Sequence, residues 1–249
     1  MQTSIQEIGP RIYRLSTFFP DLLPGGFTFN QFLVDAEQPL LFHTGMRGLY
    51  ASVVDAVSPI MAPHRLRWIS FGHVEADECG AMNDWLAVAP RSVVLHGETG
   101  CMVSLNDLAD RPPRALHQDE ALDLGGRTVR LIPTPHVPHG WESVVMFEET
   151  TRTLFCGDLF THAGDGPALT QDDIVAPALE MERTFPGGTA LTPTTGPTLR
   201  SLAALEPSKL AVMHGSSFEG DCAAALESLA AGYERMFEEA CRRETRAVQ

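Results

Sequence analysis

The sequence is short of several features, and each shortage excludes a class. No apolar run approaches the ~20 residues that a membrane-spanning helix needs. The amino terminus, MQTSIQEIGPRIYRL, has no basic region followed by an apolar core, so no signal peptide is expected. Five cysteines (Cys79, Cys101, Cys156, Cys222 and Cys241) are widely spaced and form no CxxC pair. Such spacing fits reduced thiols in a cytoplasmic protein better than a disulfide framework. Positive charge is scarce: 18 Lys and Arg face 32 Asp and Glu, for a formal net charge of −14. That balance argues against nucleic acid and against anionic membranes as partners. No low-complexity linker and no internal repeat divides the chain, and its 249 residues suit one large α/β domain spanning 1–249.

What is present is an ordinary globular composition, 44% hydrophobic and 20% charged, with enough apolar residue for a sizeable core. Strands are expected over 11–16 and 27–35, with 39–42 as a hairpin partner. A helix is expected over 47–61, a buried strand over 66–71, a helix over 81–88, a strand over 92–95 and a helix over 98–106. After the break at RPPR, short strands follow at 115–117, 120–124, 128–132, 143–148 and 153–156. Helices are expected over 172–184, 199–205 and 221–243, with a loop over 186–197 and a strand over 209–213. The strands fall in two batches, each accompanied by helices. Two sheets packed face to face with helices outside accommodate that order.

The stretch FGHVEADECG, 71–80, concentrates the chemistry. His73, Glu75 and Asp77 alternate at the carboxyl end of the strand 66–71, where α/β proteins place their sites. An extended backbone would project all three to one side. Three more strand ends repeat the pattern of a buried run, then a His or Asp beside a Gly. They are PTPHVPHGWES at 133–143 with His136 and His139, Gly157-Asp158 after 153–156, and His214-Gly215 after 209–213. Most of the nine histidines are expected to be ordinary core or surface residues, but this recurrence is hard to assign to chance.

HVEADE, HGWES, GDLF and MHG, in this order over 73–215, resemble the successive motifs of the metallo-β-lactamase superfamily. The common first motif of its zinc hydrolases is HxHxDH. Here it reads H-x-E-x-D, which resembles the flavodiiron proteins, and most of all the stand-alone oxygen-binding di-iron proteins that lack a flavodoxin domain. The resemblance implies an αββα sandwich of two mixed sheets with helices on the outer faces. It also implies a di-metal site. His73, Glu75 and His139 would bind one ion, Asp77 and His214 the other, and Asp158 would bridge them. His139 is preferred to His136 because the family's ligand His stands three residues before an acidic residue and Ser, here Glu142-Ser143. Two positions depart from the pattern. Glu78 stands where the motif continues with His, and is either a further ligand of the second metal or turned away with water in its place. His43-Thr44-Gly45 replaces the usual Asp-Thr-Gly, so His43 either hydrogen-bonds a ligand or is structural.

A Glu at position 75 makes the donor set harder and more negative, which suits iron better than zinc. The implied function is a non-haem di-iron protein that binds or reduces O2, or NO or peroxide. An O2-sensing module with the same site and a di-zinc hydrolase of an ester, amide or thioester are the alternatives. Zinc or manganese could occupy the same ligands. Only a short stretch follows His214, so no FMN module is expected, and turnover would need an external electron donor. Flavodiiron relatives commonly form head-to-tail dimers, so a homodimer is expected. His162 and Asp165 either line the substrate side or, as preferred, belong to a plain loop; Cys156 is read as a buried strand residue and Cys79 as reactive only if exposed, while Trp141 and Phe160 are read as pocket walls or simple packing.

Overall fold

A computed structural model describes residues 2–118 and 120–247. Among the described residues, fourteen strands form two seven-stranded sheets. The first contains, in chain order, β1 (Thr3–Gly9), β2 (Ile12–Phe19), β3 (Phe27–Val34), β4 (Leu40–Phe42), β5 (Trp68–Ser70), β6 (Val93–Gly97) and β7 (Arg114–Leu116). The pairs from β1 to β4 are antiparallel, and those from β4 to β7 are parallel. The second contains β8 (Ala121–Asp123), β9 (Thr128–Pro133), β10 (Val144–Glu148), β11 (Thr153–Phe155), β12 (Leu169–Thr170), β13 (Lys209–Ala211) and β14 (Ser217–Glu219). Its spatial order is β12-β14-β13-β11-β10-β9-β8, with parallel pairs at β11–β13 and β12–β14. The helices are α1 (Tyr50–Val57), α2 (Ala76–Cys79), α3 (Met82–Val88), α4 (Glu98–Gly100), α5 (Asn106–Leu108), α6 (Val175–Thr184), α7 (Thr195–Ala203) and α8 (Cys222–Ala247).

The layering follows from strands that are apolar on both faces. In β3, Phe32 and Val34 join Phe42, Leu95, Met146 and Phe155 in a core between the sheets. Phe29 and Leu33, one step out of phase, join Val53 and Trp85 in a second core under α1 and α3. A third core sets Leu199, Leu226 and Leu229 of α7 and α8 against Leu154 and Leu210 of the other sheet. Helices therefore cover both outer faces, and the αββα sandwich of two mixed sheets is the architecture observed. No helix among the described residues is long and apolar enough to cross a membrane.

Several elements differ from the sequence expectations. β1 was not anticipated, since Ile5 and Ile8 do not alternate regularly. β12 and β14 are too short to leave a pattern. The helix expected over 98–106 is interrupted by a π-helical turn, Cys101–Leu105. The helix expected over 47–61 begins as a 3-10 turn at Arg47–Leu49 and closes at Val57. α7 starts at Thr195, inside the expected loop; Pro197 lies in its first turn, where the missing N–H has no intrahelical partner to lose.

Candidate metal centre

The ends of β4, β5, β11 and β13 and the β9–β10 loop meet along one rim of the sandwich, which brings the candidate residues together. Glu75 is the residue before α2 and has extended backbone (φ −135°, ψ 157°). Asp77 lies inside the first turn of that helix, so the expected extended alternation stops at Glu75. Asp77 reaches the site through the helical turn instead.

His73, Glu75, His139 and Asp158 each bring one donor atom within 4.8 Å of the others. Glu75 Oε2 lies 2.7 Å from His73 Nε2 and 3.0 Å from His139 Nε2. Asp158 Oδ2 is 3.7 Å from both of these nitrogens. Its other oxygen, Oδ1, is 3.2 Å from His214 Nε2, and Asp77 Oδ2 is 3.4 Å from the same nitrogen. The two oxygens of Asp158 thus face two separate donor groups. Oδ1 is buried and receives no hydrogen bond of good geometry.

The opposite nitrogen of each imidazole is occupied. His139 Nδ1 donates to the Gly188 carbonyl at 2.8 Å, and His214 Nδ1 to the Thr28 carbonyl at 2.8 Å. His73 Nδ1 faces Glu78 Oε1 at 3.1 Å, an ion-pair contact without good hydrogen-bond geometry. An imidazole that gives Nδ1–H to an oxygen presents the Nε2 lone pair outward, the arrangement that metal-binding histidines adopt. The ring of His214 is further fixed by stacking on Phe27, with centroids 4.5 Å apart, and by the edge of Phe29. Arg14 and Asn30 bind the Gly215 carbonyl at 2.9 Å each, pinning the turn that carries His214.

The electrostatics call for a cation. Burial alone would lower the pKa of His73, but Glu78, Glu75 and Asp158 outweigh it and push it up to about 12. Burial likewise opposes charge on His214, and Asp158 and Asp77 push it up to about 10. Hydrogen bonds from His139 and His73 hold Glu75 well below the usual carboxylate range. In the metal-free protein, protons on the imidazoles supply the positive charge that the carboxylates demand. A donor set of imidazole and carboxylate, with its charges balanced only by protons, fits a pair of divalent ions.

The remaining candidates fall elsewhere. Glu78 is fully buried, and its Oε2 accepts the backbone N–H groups of Gly72 (2.5 Å) and His73 (2.8 Å). His43, also fully buried, has Nδ1 3.3 Å from the Asn30 carbonyl and Nε2 3.7 Å from Glu78 Oε1, and it is paired with none of the six residues above. His136 is exposed and lies outside the cluster. His162 donates Nδ1–H to the Phe160 carbonyl and accepts the Ser216 N–H at Nε2, so both nitrogens serve the backbone. Asp165 is exposed. Phe160 is core and Trp141 is 59% exposed; neither lines the cavity over the site. Cys156 is core, and burial pushes the Cys79 thiol up to about 12, which leaves it unreactive at neutral pH.

A cavity of about 320 Å³ opens over Glu75, Asp77, His139, Asp158 and His214. Its walls are mostly apolar and come from distant stretches: Leu22, Leu23, Met181, Phe185 and Tyr233. Sequence reasoning missed these, because nothing local to them marks a site. Glu182 also lines the cavity; its Oε1 accepts the Gly187 N–H at 3.0 Å, next to the carbonyl that holds His139.

Residues 27–185 match the sequence model of the family described as ODP family beta lactamase. Rubredoxin-oxygen oxidoreductase of Megalodesulfovibrio gigas is 24% identical over 206 residues, which are 80% of this chain and 51% of that protein. Diflavin flavoprotein A 1 of Synechocystis sp. is 26% identical over 144 residues, 55% of this chain and 24% of that one. The chain therefore spans about half the length, or less, of these curated relatives. Among solved structures, a mutant of the flavo di-iron protein from Thermotoga maritima superposes with a TM-score of 0.79 at 18% identity. That superposition covers 92% of this chain and 62% of the other, and shows a shared fold.

Proposed function

We propose, for a chain that belongs to the ODP family of β-lactamase-like domains, that it holds two iron ions and binds or reduces O2 or NO between them. The observation that carries this reading is the orientation of the three imidazoles. His139 and His214 have Nδ1 bonded to a carbonyl, His73 has Nδ1 facing Glu78, all three turn Nε2 to a carboxylate, and Asp158 divides its oxygens between two groups. His73, Glu75 and His139 would hold one ion, Asp77 and His214 the other, and Asp158 both. When bound, two ferrous ions supply electrons and Lewis acidity to a small oxidant.

The protein supplies the rest. Glu75, Asp77 and Asp158 bring three negative charges, which offset the added positive charge of an oxidised pair and favour iron over redox-inert zinc. The Gly188 and Thr28 carbonyls fix His139 and His214 and raise their donor strength. Leu22, Leu23, Phe27, Met181 and Phe185 make an apolar vestibule that admits a small neutral molecule and limits water. Two irons hold electrons for a single event only, so repeated turnover needs a further electron source, and without one the protein acts as a single-event binder or sensor. The test is anaerobic loading with ferrous iron followed by O2. The expected result is two irons per chain and an O2-dependent rise in near-ultraviolet absorbance. Tightly held zinc, ester or thioester hydrolysis and no response to O2 would overturn it.

A further inference from the structure

We infer that Glu78 is a positioning residue for His73, not a ligand, and that the second metal position is left one donor poorer, to accept an exogenous small ligand. The inference rests on the two-metal reading above and deepens it.

Consecutive helical residues point about 100° apart. In α2, that rotation sends Asp77 into the cavity and Glu78 beneath it. The Glu78 carboxylate is wedged under two ligand-bearing turns. A Cβ on Gly72 would come 3.1 and 3.2 Å from its oxygens, and one on Gly157, next to Asp158, 3.5 Å from Oε1. Thr44 holds α2 in place, its N–H and hydroxyl donating to the Glu78 carbonyl at 2.6 and 3.1 Å. Swinging the side chain out to the second position would strand the N–H groups of Gly72 and His73, which it now satisfies. Buried donors left unpaired lose their hydration with nothing in return, and His43 Nε2 would lose the carboxylate it faces at 3.7 Å.

With Glu78 committed inward, the two positions are unequal. The first is offered His73 Nε2, Glu75, His139 Nε2 and Asp158 Oδ2. The second is offered only Asp77, His214 Nε2 and Asp158 Oδ1. Glu78 therefore supports the richer position, accepting the His73 backbone N–H at 2.8 Å through Oε2 and setting the charge of Oε1 3.1 Å behind His73 Nδ1.

The test is an anaerobic titration of the chelator-stripped full chain with Co(II), followed by absorbance and calorimetry, with far-ultraviolet circular dichroism to verify folding. Wild type is expected to take up two ions in two resolved steps, the second weaker than the first. Azide is expected to change the spectrum only after the second step, and His214→Asn to remove that step alone. Glu78→Gln is expected to weaken the first step by about 10–100-fold and leave the second unchanged. Loss of the second step in Glu78→Gln, with the first intact, would make Glu78 a ligand and overturn the inference. Two equal steps in wild type, or an azide response at the first step, would also overturn it. The azide order uses wild type only, so it decides the matter even if Glu78→Gln fails to fold. Uptake of fewer than two ions by wild type would instead sink the two-metal reading itself.

Discussion

The two halves of the site are built by different means. The His73 half is assembled mainly from loops: the turn after β5 gives His73 and Glu75, and the β9–β10 loop gives His139. Its order comes from behind, through Glu78 under His73 and Gly188 against His139. The His214 half is set into the frame. His214 lies three residues beyond the end of β13, is nearly fully buried, and is clamped by Phe27, Phe29 and the Thr28 carbonyl of β3. The difference teaches that donor count and rigidity need not go together. On the proposed assignment, the half with more donors is the more exposed, with Glu75 51% and His139 34% accessible at the side chain. The half with fewer donors is the better anchored.

Substitutions can break this contrast, and the largest effect belongs to the residue that both halves share. Asp158→Ala is expected to abolish binding of both ions, read as near-zero metal by elemental analysis; a retained pair would contradict bridging. His139→Ala is expected to empty the first position, while His136→Ala leaves two ions bound. A reversed outcome would mean that the wrong histidine of the β9–β10 loop has been assigned.

The contrast also has a pH signature. His214 is held at about 10 in the metal-free protein against an ordinary value of 6.5. A raised imidazole pKa stabilises the fold fully below about 6.5, and that contribution is lost as pH rises through about 10. The metal-free protein is therefore expected to lose thermal stability over this interval. The loaded protein, whose imidazoles are already neutral, should lose less, and loading at neutral pH should release protons, measurable by calorimetry in buffers of different ionisation enthalpy. Equal alkaline losses in both forms would contradict the charge assignment. The smallest effect is expected from Glu182→Ala. It frees the Gly187 N–H and loosens the turn holding His139, at about 1 kcal/mol of stability, with a modest weakening of the first position only. Glu182→Gln, which keeps an acceptor, should restore most of it.

Much of this was legible in the chain because strand ends advertise themselves. A buried run followed by Gly and a His or Asp marked 73, 158 and 214, and the structure brings all three to one rim. The sandwich was legible because the strands fall in two batches, each accompanied by helices; within β3, Phe29 and Leu33 serve one covered face and Phe32 and Val34 the other. Glu78 is illegible while 73–77 reads as extended chain. Once α2 is seen to start at Ala76, the helical rotation separates Asp77 from Glu78 by itself. The cavity walls were illegible for a deeper reason. Met181 and Phe185 come from the α6 region and Tyr233 from α8, and only the packing of those helices over the rim makes neighbours of them.

The measurement that tests the central claim most directly is anomalous diffraction at the iron edge from crystals of the anaerobically loaded protein. Two iron peaks are predicted about 3.5–4 Å apart, one among His73, Glu75 and His139, the other beside Asp77 and His214, with Asp158 touching both. A single peak, or a second peak bound by Glu78 in place of His214 and Asp77, would contradict the account.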